Sequence, residues 1–229
     1  MNVFEKLLTA ISQEPIPILD SNIPIKKYTP LDLSDTNLDL LDIEVTNPSD
    51  CQSYINTILL KKEAFVAYGG YLEKRNLYAD KSSFSKNIKA LRNIHLGIDY
   101  WAKADTHVLA PISGHVHSFK NNTAVGDYGP TIILSHHINE LSFYTLYGHL
   151  SLESIEDLFV GKAINQGAIL GYLGTPDINV NYAPHLHFQI IKEIKEYSGD
   201  YPGVCTALDL DYYRENCPNP NLLLKIRQD

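Results

Sequence analysis

From Ala64 to Leu173 the chain is written in short apolar runs. They are Phe65-Val-Ala-Tyr68, His107-Val-Leu109, Val116 to Phe119, Thr131 to Leu134, Phe143 to Tyr147 and Ile169 to Leu173, divided by Gly, Asn, Asp and Pro. Runs this short, bounded by turn residues, are strands, and a succession of them builds a compact all-β sheet or sandwich. The chain before them is of another kind. Val3 to Ile11 is an amphipathic helix candidate, and the next residues, to about 48, are rich in Pro, Asp and Leu, which predicts irregular or short-stranded structure. Asn47-Pro-Ser-Asp50 predicts a helix start with Ser49 or Asp50 as cap, and Tyr54, Ile55, Ile58 and Leu59 continue it over 51–62. Ser154 to Leu158 predicts one helical turn.

Three phrases within the strand-rich part carry chemistry: His95-Leu-Gly-Ile-Asp99, Tyr147-Gly-His149-Leu150 and His185-Leu-His187-Phe188. On an extended strand, side chains two or four residues apart share a face, so His95 can converge with Asp99 and His185 with His187. Gly97 leaves that face open, while Ile94, Leu96 and Ile98 point the other way, where they can be core. A catalytic zinc takes three imidazole or carboxylate ligands at about 2.0–2.2 Å and keeps a position for water. Five candidate groups exceed three ligands, which leaves two histidines for acid–base work.

These phrases resemble the lysostaphin-type (LytM and LasA) zinc metallopeptidases, which carry a His-x-x-x-Asp phrase and a later His-x-His phrase. The resemblance runs from about Arg92 to about Ile191. It includes Ala110-Pro-Ile-Ser-Gly114, Asp127-Tyr-Gly-Pro-Thr-Ile-Ile133, Tyr147-Gly-His-Leu-Ser151 and Gly161-Lys-Ala-Ile-Asn-Gln-Gly167 in the family's order. It implies that His95, Asp99 and His187 hold one zinc ion per chain and that His149 and His185 are the catalytic pair. Asp200-Tyr-Pro-Gly203 and Cys217-Pro-Asn-Pro-Asn-Leu222 are similar to the tail of the peptidase-like module of aminotransferase-containing fusion polypeptides, here expected to stand alone. Tyr68-Gly-Gly-Tyr71 with Glu73, Arg75 and Tyr78 resembles that subgroup too, with no role attached. Two positions depart from the family's pattern: Gln189 stands where Glu is usual, and Asn179-Val-Asn-Tyr-Ala-Pro184 replaces a Gly-rich run. Neither removes a ligand, but the second puts a preference for glycine-rich peptides in doubt.

The expected fold is mainly β, an antiparallel β-sandwich of the duplicated hybrid motif type with a mixed α and irregular N-terminal region. The turns at Ala110 to Val116 and Gly161 to Gly171 resemble those of barrel-sandwich hybrid domains. The expected division is an accessory region at 1–90, the peptidase-like β domain at 91–195 and a C-terminal extension packed on it at 196–229. With 229 residues and 44% hydrophobic content, such a chain buries roughly 70% of its unfolded surface and needs no crosslink. Cys51, Cys205 and Cys217 are odd in number and lack C-x-x-C spacing, which argues against a disulfide framework and a thiolate zinc site.

Nineteen Lys plus Arg against 27 Asp plus Glu, a net charge of −8, argue against nucleic acid or an anionic bilayer as partner. No stretch approaches the roughly 20 apolar residues of a membrane span, and Met1-Asn-Val-Phe-Glu-Lys-Leu-Leu does not read as a signal peptide, so a cytoplasmic location is expected. For a wall-degrading family, a periplasmic or extracellular location is the alternative.

All nine histidines fall between 95 and 187. His107, His115, His117, His136 and His137 are read as surface or core imidazoles, Tyr147 as a packed aromatic and Asn93 as a strand-edge polar residue. The expected reaction is hydrolysis of a peptide amide bond by a zinc-activated water, with the proton managed by His149 or His185, because no His-Glu-x-x-His base is present. The expected partner is a peptide substrate, with cell-wall peptides among the classes the family implies. The rivals are a phosphoryl-carrier module on the same β-sandwich, which leaves His95 and Asp99 unexplained, and a scaffold that binds peptides without cutting them.

Overall fold

The computed structural model describes residues 1–76, 91–124, 126–179 and 182–226. Its elements in chain order begin with α1 (Val3–Ile11), β1 (Tyr28–Pro30), α2 (Pro48–Lys61) and β2 (Val66–Gly69). The strand-rich part follows as β3 (Ile94–His95), β4 (Ile98–Trp101), β5 (His107–Leu109), β6 (Gly114–Asn122), β7 (Gly129–Ile138), β8 (Leu141–Gly148), β9 (Ala163–Ile164), β10 (Ile169–Tyr172) and β11 (His185–Ile191). β12 (Val204–Cys205), α3 (Leu210–Asn216) and α4 (Asn221–Leu224) close the chain. The fold is mainly β, and the short apolar runs became strands. The single turn expected at Ser154 to Leu158 is a 3₁₀ turn over Leu152–Ile155.

The cap of α2 differs from expectation. Asn47 accepts from the Ser49 backbone N–H, and Pro48 occupies the first helical position. Proline presets the backbone angle there and has no N–H that would need a partner, so the helix starts earlier than Ser49 or Asp50 would allow.

Eight strands form one sheet in the order β1-β2-β4-β11-β8-β7-β6-β9, and the pairs β5–β10 and β3–β12 form two small sheets. Pairing in the large sheet is antiparallel except at the edge, where β1 runs parallel to β2. The alternation of side chains along β4 and β11 sorts the molecule. Ile98 and Tyr100, with Leu186, Phe188 and Ile190, enter the main core, where they join Val108 of β5, Leu170 of β10, Phe4 and Leu8 of α1, and Leu223 and Leu224 of α4. Asp99, Trp101, His185, His187 and Gln189 are therefore carried on the opposite face. There Ile94, Leu96, Ile133, Leu146, Tyr201, Cys205 and Cys217 form a second cluster, so the chain after Gly199 helps to enclose that face. The three cysteines are free and buried.

Among the described residues, no helix is long and apolar enough to cross a membrane.

Candidate metal centre

Strand register brings the five singled-out residues together. On β11, His187 lies opposite Asp99 of β4, and His185 lies opposite Trp101. His187 also lies opposite Gly148 of β8, so the next residue, His149, reaches the same place. His95 arrives differently from the expectation of one continuous strand. The chain bends between β3 and β4, and β3 pairs with β12 outside the large sheet. Gly97 makes the bend possible: a Cβ there would lie 2.6 Å from the Phe188 carbonyl oxygen and 2.7 Å from the His187 ring.

Three atoms form a tight triangle. His95 Nε2 is 2.8 Å from His187 Nδ1 and 3.2 Å from Asp99 Oδ1, and His187 Nδ1 is 3.1 Å from the same oxygen. The outer partners fix what these atoms carry. His95 Nδ1–H donates to the Gly70 carbonyl at 2.9 Å, which leaves Nε2 of the neutral ring with a bare lone pair. Gln189 donates its amide N–H to the Pro202 carbonyl at 3.1 Å, so its oxygen faces His187 and accepts from Nε2–H at 2.9 Å. His187 Nδ1 is then bare as well. Two nitrogen lone pairs and a carboxylate oxygen thus point at one another inside the protein, an arrangement that repels unless a cation sits among them. Tetrahedral zinc with bonds of about 2.0–2.2 Å separates its ligands by roughly 3.3–3.6 Å. The observed edges are slightly shorter, so the residues present fit such an ion with small outward shifts. Among the described residues these three are the one group of His, Cys, Asp or Glu so arranged.

The electrostatics agree. Burial pushes the His95 imidazolium down to about 4, against the opposing pull of Asp99, so the ring is neutral at pH 7. Burial works against ionisation of Asp99 too, but His95 and Arg75 outweigh it and hold the carboxyl well below its usual range. Arg75 Nη1 donates to Asp99 Oδ2 at 2.5 Å.

His149 and His185 stand beside the triangle with ring centres 4.1 Å apart. His185 Nδ1–H donates to the Ala183 carbonyl at 2.7 Å, and Trp101 stacks on the ring at 5.8 Å. His149 sits in the left-handed region at φ 65°, where a non-glycine residue carries strain of about 1–3 kcal/mol. Its N–H donates to the Tyr128 carbonyl and its carbonyl accepts from Gly174, which hold it there. Its Nδ1 is buried with no hydrogen-bond partner among the described residues. Burial lowers both rings below their ordinary range, His149 the further, with the adjacent His185 and His187 adding to the effect on His149.

The cavity over these groups is narrow, about 70 Å³. Val45 and Thr46 from the turn before α2, and Pro48 at its first position, line it together with Tyr128, Tyr182 and Val204.

The remaining histidines lie elsewhere. His115 and His137 are exposed on β6 and β7, His107 pairs with Asp20 at 3.8 Å, and His117 meets Tyr144 ring to ring. His136 is buried between the Ser113 carbonyl and the Thr145 hydroxyl. Tyr147 is core, its hydroxyl 3.1 Å from that of Thr145. Asn93 joins backbone bonds with Arg75 and Cys205. Gln189, visible in the sequence only as a departure from a pattern, orients His187, and Gly70 and Arg75 touch two of the three triangle residues. Tyr78 lies outside the described residues.

Residues 93–198 match the family model of Peptidase family M23. Among solved structures, the chain is similar to the catalytic domain of the antimicrobial peptidase lysostaphin from Staphylococcus simulans, at 23% identity over 57% of this chain and 86% of that one, with a TM-score of 0.38. It is similar to the catalytic domain of a point mutant of the prophage-encoded M23 protein EnpA from Enterococcus faecalis, at 20% identity over 60% and 85%, with a TM-score of 0.40. It also resembles Helicobacter pylori Csd3, at 23% identity over 58% of this chain but 36% of that one, with a TM-score of 0.33. No curated protein matches. The family match at residues 93–198 covers a little under half of the chain and includes His95, Asp99, His149, His185 and His187.

Proposed function

We propose that the chain is a zinc-dependent metallo-endopeptidase in which His95, Asp99 and His187 hold the metal and His149 and His185 handle protons. The observation that carries this reading is the triangle of two bare imidazole nitrogens and a carboxylate oxygen with edges of 2.8–3.2 Å, beside two further buried histidines. Zinc bound there supplies a Lewis acid for the scissile carbonyl and brings the ionisation of water near pH 7.

The chain's own groups divide the rest of the work. His185 has its Nδ1 proton committed to Ala183, so its Nε2 is the basic atom that accepts a proton from the attacking water and returns it to the leaving amine nitrogen as the C–N bond breaks. His149, fixed by backbone bonds on both sides, offers a ring N–H to the oxyanion that develops on the substrate carbonyl. Tyr128, with its ring centre 5.5 Å from His149, and Tyr182, at 5.6 Å, exclude water around the pair. Peptidoglycan-type peptides are the substrate class to offer first, a choice supported by the match of residues 93–198 to Peptidase family M23.

The test has two parts. Protein purified without added metal should hold about one zinc per chain, and His95→Ala should lose it. His149→Ala and His185→Ala should keep the zinc while peptide hydrolysis drops by roughly 10²–10⁴-fold. A parent chain that takes up no zinc, or zinc-loaded variants that cut at the parent rate, would overturn the proposal.

A further inference from the structure

Asp99 uses its two oxygens for different things. Oδ1 faces the two imidazole nitrogens, while Oδ2 accepts from Arg75 Nη1 at 2.5 Å. A carboxylate can offer a metal one oxygen or both, and the two modes give different coordination numbers. Here the second oxygen is already engaged in a charge-assisted hydrogen bond inside the protein, and releasing it would give up that bond away from solvent.

Arg75 is itself held from several directions. Its Nε donates to the Glu73 carboxylate, and its guanidinium lies 5.5 Å from the centre of the Trp101 ring. The other Glu73 oxygen accepts from the Leu33 backbone N–H at 3.1 Å. Gly70, at φ 104°, gives the guanidinium its space, since a Cβ there would fall 1.9 Å from Nη2. The same glycine's carbonyl orients His95 through Nδ1. One short turn, 70–75, therefore reaches two of the three triangle residues, and it lies before residue 93, where the family match begins. Glu73 and Arg75 bring opposite charges, so as a pair they leave the net charge of the site unchanged. Their effect is on geometry.

We propose that Arg75, braced by Glu73, is a positioning residue that restricts Asp99 to one-oxygen ligation and so keeps a coordination position open for water and substrate. The proposal rests on the zinc reading above, and its test separates the two.

The experiment compares the full chain with Glu73→Gln/Arg75→Met, which removes both members of the pair and conserves net charge. Cobalt replaces zinc as a spectroscopic probe, because its visible bands are intense at four-coordination and weaken as ligands are added. Zinc affinity is measured separately by competition with a chelator. The parent should show the intense four-coordinate spectrum. The double variant should show weaker bands, as the second Asp99 oxygen joins, and about 10- to 100-fold weaker zinc binding. Arg75→Lys covers the case in which the double variant does not fold: an ammonium cannot bridge Glu73 and Asp99 as the planar fork does, and its bands should weaken as well. A parent already at higher coordination, or foldable variants with the parent's spectrum and affinity, would overturn the assignment to Arg75 while leaving the zinc reading in place. A parent that takes up neither metal would overturn both.

Discussion

Gln189 Oε1 lies 2.9 Å from His187 Nε2, and the same amide's nitrogen donates to the Pro202 carbonyl and to Cys217 Sγ. Two contacts from the C-terminal chain thus decide which way the amide points, and the amide decides which nitrogen of His187 faces Asp99.

Gln189→Leu should weaken zinc binding by about 10- to 100-fold, the usual cost of losing an outer partner of a metal-bound histidine. The unmatched Pro202 carbonyl and His187 N–H should cost a further 1–3 kcal/mol or so of stability in the metal-free protein. Gln189→Glu should separate the two effects. A carboxylate still accepts from His187, so zinc binding survives, but it cannot donate to Pro202, so the fold weakens. Titration calorimetry with zinc and urea unfolding of the metal-free chains check both.

The contrast between His187 and Gln189 shows what the sequence makes legible. Asp99, His185 and His187 lie where a two-residue period on β4 and β11 puts them, on one face of the sheet, whereas His95 joins them only through the bend between β3 and β4. The strands are legible for the same local reason, as is α1. Gln189 carries no such mark, since its partners, Pro202 and Cys217, lie in a segment whose course is set by packing against Ile94 and Leu96. Arg75 is hidden similarly: its partner Asp99 is 24 positions away, and nothing local says that the two meet. The parallel pairing of Tyr28–Pro30 with Val66–Tyr68 is a long-range contact between short segments, one of them ending in a proline that disguises it as a turn. Even the bend at Gly97 needed the third dimension, because what it avoids is the His187 ring of another strand.

Gly97→Ala should test that close approach. Its methyl group would press on the Phe188 carbonyl and the His187 ring at 2.6–2.8 Å, inside any real contact distance, and the ring is the more movable of the two. His187 should therefore swing out of the triangle. Zinc content per chain should fall well below that of the parent, with a stability loss of about 1–3 kcal/mol in urea, typical of overpacking. A fully zinc-loaded variant of parent stability would show that the backbone yields instead.

Arg75→Met alone should destabilise the metal-free chain by about 3 kcal/mol, because it leaves the buried Asp99 carboxylate, and the partly buried Glu73, without their shared cation. Zinc should restore part of that loss, since it supplies positive charge next to Asp99 and binds only the folded chain. The measurement is urea unfolding with and without zinc. Equal losses in both conditions would mean that Arg75 acts on Glu73 alone.

His136 sets a pH dependence that is independent of the metal. Burial lowers its ring to about 4 in the folded protein, against an ordinary 6.5, with Nδ1 held by the Ser113 carbonyl and Nε2 by the Thr145 hydroxyl. Between those two values the unfolded chain binds a proton that the folded chain refuses, so acid favours unfolding. The stabilising contribution is complete above about pH 6.5 and is lost as the pH falls toward 4. A displacement of that size corresponds to about 3 kcal/mol at most. His136→Gln retains polar partners for Ser113 and Thr145 but cannot titrate. Urea midpoints of the zinc-free parent should drop steeply between pH 7 and pH 4, and the variant's curve should be shallower by one proton. If the two curves run parallel, the folded His136 ring takes up its proton as readily as the unfolded one, with the Ser113 carbonyl and the Thr145 hydroxyl both accepting from it.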